Sequence, residues 1–222
     1  MQYQAPKKPV RTIPLKSRSV RGFYTSTRWP RQIAFESTLE RDFLILVDFD
    51  PSVAKVLEQP CRIRFMDNDG KIREYTPDFL VDMAGGSAPS RLIEIKPAAE
   101  METQAEALRL RFAAASSYAA EREWSFTILT EDDIRGVRLE NAKFLLPFRR
   151  HPIDHGKSAR WLIGLHQVGK SKAADLAAIV WPAPDERGVA LATLWQLISI
   201  GKIKTDLNDH RVSLKSEVWL NG

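Results

Sequence analysis

Two short runs decide how this chain is read: Thr76-Pro77-Asp78-Phe79-Leu80-Val81 and, after a stretch rich in glycine and serine, Arg91-Leu92-Ile93-Glu94-Ile95-Lys96-Pro97. Each has the apolar density of a buried strand, residues 84–90 supply the break between them, and Pro97 closes the second. Fifteen residues separate Asp78 from Glu94. Side chains two apart on a strand share a face, so Glu94 and Lys96 project together, with Asp78 beside them on the neighbouring strand. Two carboxylates in one pocket suit a hard divalent cation such as Mg²⁺ or Mn²⁺, and the Ile95 carbonyl can add a third oxygen. Lys96 can orient or deprotonate an attacking water and stabilise charge building on a phosphate. The pattern reads as phosphodiester hydrolysis. The competing reading is an exposed Glu94–Lys96 ion pair worth at most about 1 kcal/mol, and the flanking Ile93 and Ile95 weigh against exposure.

Working outward, Leu39, Phe43, Leu46 and Val47 recur at helical spacing from Ser37 to about Asp50-Pro51. Residues 61–65 and 71–75 alternate around the turn residues Asp67-Asn68-Asp69-Gly70, a β-hairpin. Residues 99–121, rich in Ala, Glu and Arg, form a helix that covers the sheet, residues 125–130 a further strand, and residues 131–134 an acidic helix start. Helix, hairpin, two strands, helix, strand is a mixed-sheet α/β domain spanning 35–148. Phe148-Arg149-Arg150-His151-Pro152 reads as a linker. Beyond it, helices at 158–167, 171–181 and 186–200 precede a hairpin of 202–207 with 211–214, the order of a winged helix across 149–222. Trp161, Trp181, Trp195 and Trp219 are expected as core or partner-facing anchors, and His151, His155, His166 and His210 as surface residues.

The 222 residues hold one large domain or two small ones. With 44% hydrophobic and 27% charged residues most of the chain is expected to fold. No apolar run approaches the roughly 18–20 residues needed to cross a bilayer, and the single Cys61 excludes an intramolecular disulfide, which fits a reducing, cytoplasmic setting. Charge is uneven. There are 33 Lys and Arg against 28 Asp and Glu, and residues 1–31 hold eight of the cations and no acid. Lys7, Lys8, Arg11, Lys16, Arg18, Arg21, Arg28 and Arg31 thus make residues 1–34 a basic, proline-interrupted arm, a candidate contact for a DNA backbone or a solubilising tail.

Several segments in order resemble the TnsA endonuclease family, heteromeric transposase subunits with the PD-(D/E)xK restriction-like nuclease fold. Ser37-Thr38-Leu39-Glu40 with Phe43-Leu44-Ile45-Leu46, Asp50-Pro51-Ser52-Val53, Glu58-Gln59-Pro60, residues 76–81, 93–98 and 126–131 carry the likeness. The resemblance implies a restriction-endonuclease-like mixed sheet flanked by helices, with a small winged-helix-like C-terminal domain. It implies catalytic roles for Glu40, Asp78, Glu94 and Lys96, and a metal site of Asp78, Glu94, the Ile95 carbonyl and Glu40. Glu36, one helical turn before Glu40, is the rival helix glutamate. The implied cofactor is Mg²⁺, with Mn²⁺ as substitute, and the implied partners are transposon-end DNA, a TnsB-like transposase and a TnsC-like AAA+ ATPase. The implied reaction is cleavage at the 5′ ends, weak without partners. A stand-alone restriction or repair nuclease and a non-catalytic DNA-binding adaptor are the alternatives.

Overall fold

The structure, a computed structural model, describes residues 8, 9, 20–86 and 88–220. Among the proposed arm cations, Lys7, Arg11, Lys16 and Arg18 lie outside the described residues. The chain divides into two compact units after Ile134, and each is described by itself.

The first unit begins with β1 (Gly22–Tyr24) and β2 (Ile33–Phe35), an antiparallel pair. Residues 20–34 are therefore no free arm: Trp29, Ile33 and Ala34 are buried, and the Trp29 indole donates to Ala54 O at 3.1 Å. Then comes α1 (Thr38–Phe49). Its start is a reciprocal cap: the Ser37 side chain accepts from Glu40 N at 3.0 Å, and the Glu40 carboxylate accepts from Glu36 N at 2.8 Å. Its end is closed by Arg28, whose guanidinium donates to the carbonyls of Asp48 and Asp50 at 2.7 Å and to that of Val53. A cation on the last carbonyls of a helix also complements its dipole.

The remaining strands of this unit are β3 (Val53–Glu58), β4 (Ile63–Met66), β5 (Ile72–Tyr75), β6 (Phe79–Met83), β7 (Arg91–Ile95) and, after α2 (Ala98–Thr103) and α3 (Ala105–Ala120), β8 (Ser125–Leu129). The central sheet has the order β3-β6-β7-β8, antiparallel except for the last pair. It is mixed, as expected. Its two faces follow from strand alternation. Phe79, Val81, Ile93 and Ile95 meet Leu39, Phe43, Leu44 and Val47 of α1, whereas Leu80 and Leu92 meet Ala115 and Ala119 of α3. The hairpin β4–β5 stands apart as its own two-stranded sheet, its Ile63 and Tyr75 packed into the α3 side. The expected helix over 99–121 is two helices, interrupted at Gln104, where φ is −117° and ψ 18°. The short α4 (Glu131–Ile134) ends the unit, with Ile134 in the core beneath α1.

The second unit comprises α5 (Val137–Leu145), α6 (His155–Val168), β9 (Ser171–Lys172), α7 (Ala173–Val180), α8 (Pro184–Ser199), β10 (Lys204–Thr205) and β11 (Glu217–Trp219). The boundary expected at 148/149 thus falls at 134/135. The expected linker is bonded to α8: Gln196 Nε2 donates to Phe148 O at 3.2 Å and His151 O at 2.7 Å, and Arg149 Nε to Ser199 O at 2.8 Å. The three strands form one antiparallel sheet, β10-β11-β9. Residues 211–214, expected as a strand, lie in the loop before β11, pinned by Asn141, which bonds Leu207 O, His210 O and Val212 N. Trp161, Trp181 and Trp195 are buried, and all four histidines are exposed. At the α6–α7 crossing a Cβ on Gly164 would stand 2.3 Å from Val180 Cγ2, so the close approach requires glycine. No helix among the described residues is long and apolar enough to cross a membrane.

Candidate active site

β7 is buried at Leu92, Ile93, Glu94 and Ile95, so it runs through the interior with a carboxylate inside it. Glu94, 2% exposed, shares the face of Leu92. Such a group requires partners, because burying an unpaired charge costs many kcal/mol. It has two: the Tyr75 hydroxyl donates to Oε2 at 2.6 Å, and Lys96 Nζ stands 3.1 Å from Oε1. Asp78, immediately before β6, accepts from the Ile95 amide on Oδ2 at 2.7 Å. That bond fixes the aspartate beside β7, as the register Phe79↔Ile93 requires. Asp78, Glu94 and Lys96 are therefore brought together. The Glu94–Lys96 pair is not an exposed surface bridge, since the Lys96 side chain is only 23% exposed.

Electrostatics extend the cluster to α1. Burial, then Glu94 and Glu40, push the Asp78 carboxyl well above the usual aspartate range. Glu40 is raised as well, chiefly by burial, against its bonds to Glu36 N and Ser37. Lys96 is pulled down by burial but held above its ordinary value overall by Glu94 and Asp78. Burial and the Glu94 charge likewise keep the Tyr75 hydroxyl protonated, as a donor. Three carboxylates thus face one ammonium. Glu36, the rival of Glu40, lies 3.6 Å from Arg21; its amide lowers Glu40 by donating to it, and its charge opposes that by a smaller amount.

That surplus of negative charge is what a divalent cation neutralises, and the donor chemistry fits: Asp78 and Glu94 offer hard carboxylate oxygens and Ile95 a carbonyl between them. Among the described residues no three His, Cys, Asp or Glu side chains form a ready-made metal cage. A set of two carboxylates matches Mg²⁺, which keeps several waters and takes further oxygens from substrate phosphate.

The arginines expected on DNA are otherwise occupied. Arg28 holds the α1 carbonyls, Arg31 is paired with the buried Glu58, and Arg21 stands beside Glu36. Each has a partner within the fold, and among the described arm cations Lys8 is exposed. Tyr75 is the site residue that sequence reasoning passed over. The alternation of residues 71–75 was the available signal, because it sets Tyr75 on the hairpin's inward face.

The family model described as TnsA-like endonuclease N terminal matches residues 50–131, which include Asp78, Glu94 and Lys96 and stop short of Glu40. No curated protein matches the chain. A matching segment that spans β3 to β8, with the acidic cluster at its centre, carries one conclusion: residues 50–131 are a TnsA-like endonuclease N-terminal region.

Proposed function

We propose that the protein is the metal-dependent DNA endonuclease subunit of a heteromeric transposase, hydrolysing phosphodiesters at the 5′ ends of the element. The observation that carries this is the cluster of Asp78, Glu94 and Glu40 around the single ammonium of Lys96, inside a TnsA-like domain. Asp78, Glu94 and the Ile95 carbonyl hold Mg²⁺ or Mn²⁺, and Glu40 lends its charge from α1. When bound, the ion polarises the scissile phosphate and lowers the pKa of the attacking water. Lys96, 3.1 Å from the Glu94 carboxylate, acts as a cation toward the phosphate and orients the attacking water. Water oxygen adds to phosphorus and gives up a proton to surrounding solvent, the bond to the 3′ oxygen breaks, and that oxygen takes a proton from solvent, leaving a 3′-hydroxyl and a 5′-phosphate. Tyr75 keeps Glu94 turned toward Lys96.

The second unit, with its order helix, strand, helix, helix, strand, strand from α6 onward, serves as a winged-helix-like module. A TnsB-like transposase and a TnsC-like AAA+ ATPase complete the assembly, which acts on DNA in the cytoplasm. The test is strand-specific cleavage of labelled transposon-end DNA with Mg²⁺ or Mn²⁺, for wild type, Asp78→Ala and Lys96→Ala, with and without the neighbouring transposase and ATPase. Partner-dependent cutting at the 5′ ends that both substitutions abolish supports the proposal. Equal cutting by the variants would make the cluster structural and the protein an adaptor.

A further inference from the structure

The charge of the chain is partitioned in a way that its total conceals. Residues 32–134, which hold the acidic cluster, have 11 Lys and Arg against 20 Asp and Glu; residues 135–222 have 14 against 8. A polyanion is repelled by the first set and attracted by the second.

Within the second unit Lys170, Lys172, Lys204, Arg211 and Lys215 gather around one surface. In the β10-β11-β9 sheet Lys204 lies opposite Trp219 and Lys172 opposite Glu217. Because Val218 and Thr205 point into the core, Lys172, Lys204, Glu217 and Trp219 share the outer face. Lys170 Nζ sits 5.3 Å from the centre of the Trp219 ring and 2.7 Å from the Glu217 carboxylate. Beside this face is a cavity of about 580 Å³ lined by Lys170, His210, Arg211 and Lys215 together with Trp219 and the carboxylates of Asp206 and Glu217. Arg211 is tied to Glu140 and His210 stands 3.2 Å from Asp206. No ion pair is found for Lys172, Lys204 or Lys215 among the described residues. Helix α8 is the opposite case. Its first turn carries Asp185 and Glu186, which suits its own dipole and repels phosphate.

We propose that the second unit holds duplex DNA by its phosphate backbone on the outer face of the β9–β10–β11 sheet, with the Lys170–Lys215 cavity taking a phosphate and Trp219 lying against deoxyribose. The N-terminal turn of α8 stays out of the groove. The unpaired lysines supply the charge that counterion release rewards, and the aromatic ring offers the flat apolar surface that sugars and bases pack on. This rests on the reading of the protein as a DNA endonuclease, and it assigns the grip on DNA to a surface outside the acidic nuclease body.

The experiment is the salt dependence of binding by the full chain to a fluorescein-labelled duplex, followed by anisotropy in EDTA. Three proteins are compared: wild type, K172Q/K204Q/K215Q and D185N/E186Q. Each phosphate that is no longer neutralised takes about 0.9 off the slope of log K against log salt. The triple lysine variant is expected to lose two to three from the slope, and about tenfold or more in affinity near 100 mM salt. The α8 variant is expected to keep the wild-type slope. Because the substituted lysines carry no ion pair, an unchanged melting temperature confirms folding. An unchanged slope in the lysine variant overturns the proposal. So does an unchanged slope joined to loss of partner-dependent cleavage, which assigns the lysines to an acidic protein surface. Wild type and Asp78→Asn, assayed for cleavage in parallel, separate the two readings: a lysine-dependent slope without Asp78-dependent cutting refutes the nuclease and leaves the DNA surface standing.

Discussion

Tyr75→Phe isolates one bond in the acidic cluster. The substitution keeps the ring, so the edge contact with Phe112 at 6.5 Å and the Arg111 guanidinium at 5.4 Å from its centre persist, and no cavity opens. What goes is the 2.6 Å donation to Glu94 Oε2, in a place where water does not reach. A hydrogen bond to a charged group contributes about 1.5–3 kcal/mol. At about 2–4 °C per kcal/mol for a chain of this size, the melting temperature should fall by about 3–12 °C. In a Glu94→Gln background the acceptor is neutral, and the cost of the same substitution should shrink to about 0.5–1.5 kcal/mol. Denaturant melts of the four proteins in EDTA give this cycle. The effect on metal follows from the same bond. A partner that orients a metal-binding carboxylate changes metal affinity or activity by about 10–100-fold, and Mn²⁺ titration of Tyr75→Phe should register a loss in that range. A melt within about 0.5 kcal/mol of wild type, or an equal cost in the Glu94→Gln background, would refute the argument that the hydroxyl holds a charged Glu94.

Three further outcomes are expected. Asp78→Asn should stabilise the metal-free protein by about 0.5–2 kcal/mol, since it keeps an oxygen for the Ile95 amide and removes a charge that Glu94 and Glu40 oppose; calorimetry should also show it losing the added stability that Mg²⁺ gives wild type. The raised Asp78 and Glu40 set the sign of the pH dependence: their contribution is fully present below the ordinary carboxylate range and is lost as pH rises through their elevated folded values. Metal-free melts should therefore rise on mild acidification, and saturating Mg²⁺ should flatten the curve. Arg28→Ala should destabilise by about 1–3 kcal/mol through the uncapped α1 carbonyls, while the salt slope for DNA stays at the wild-type value.

What could be read in the chain and what could not divide along sequence separation. The strands bearing Asp78 and Glu94, the hairpin and α1 announce themselves through local alternation, local turns and a local cap, and they stand where expected. β1 and β2, three residues each, are too short to show a period, and β3 does not alternate along Val53–Glu58; each exists because of a partner elsewhere, as when Trp29 donates to Ala54. Arginines mislead for a related reason. A guanidinium looks the same in sequence whether it meets a phosphate or the carbonyls of Asp48 and Asp50, and only the fold tells that Arg28 meets the latter. Asp78, Glu94 and Lys96 were legible because strand parity alone puts them on one face. Tyr75 was not, because its partner lies 19 residues away on a strand it is not paired with. Glu40 is a mixed case: the spacing from Ser37 marks a cap, and the same carboxylate reaches Asp78 electrostatically from the other side of the sheet.

The proposed chemistry also explains why this protein should cut poorly alone. A phosphodiester approaching the cluster meets Asp78, Glu94 and Glu40 with Lys96 already engaged, on a body whose acids outnumber its cations. All of this charge opposes entry until a divalent cation neutralises the carboxylates and something else holds the DNA. Arg28 and Arg31, two of the cations expected on DNA, are already engaged with carbonyls and with Glu58. On the reading proposed above, attraction comes from the lysine face of the second unit and from proteins that present the DNA end. Under that proposal the grip and the cut belong to different parts of the assembly, cleavage is conditional on both being in place, and the electrostatics of the cluster would keep it idle on its own.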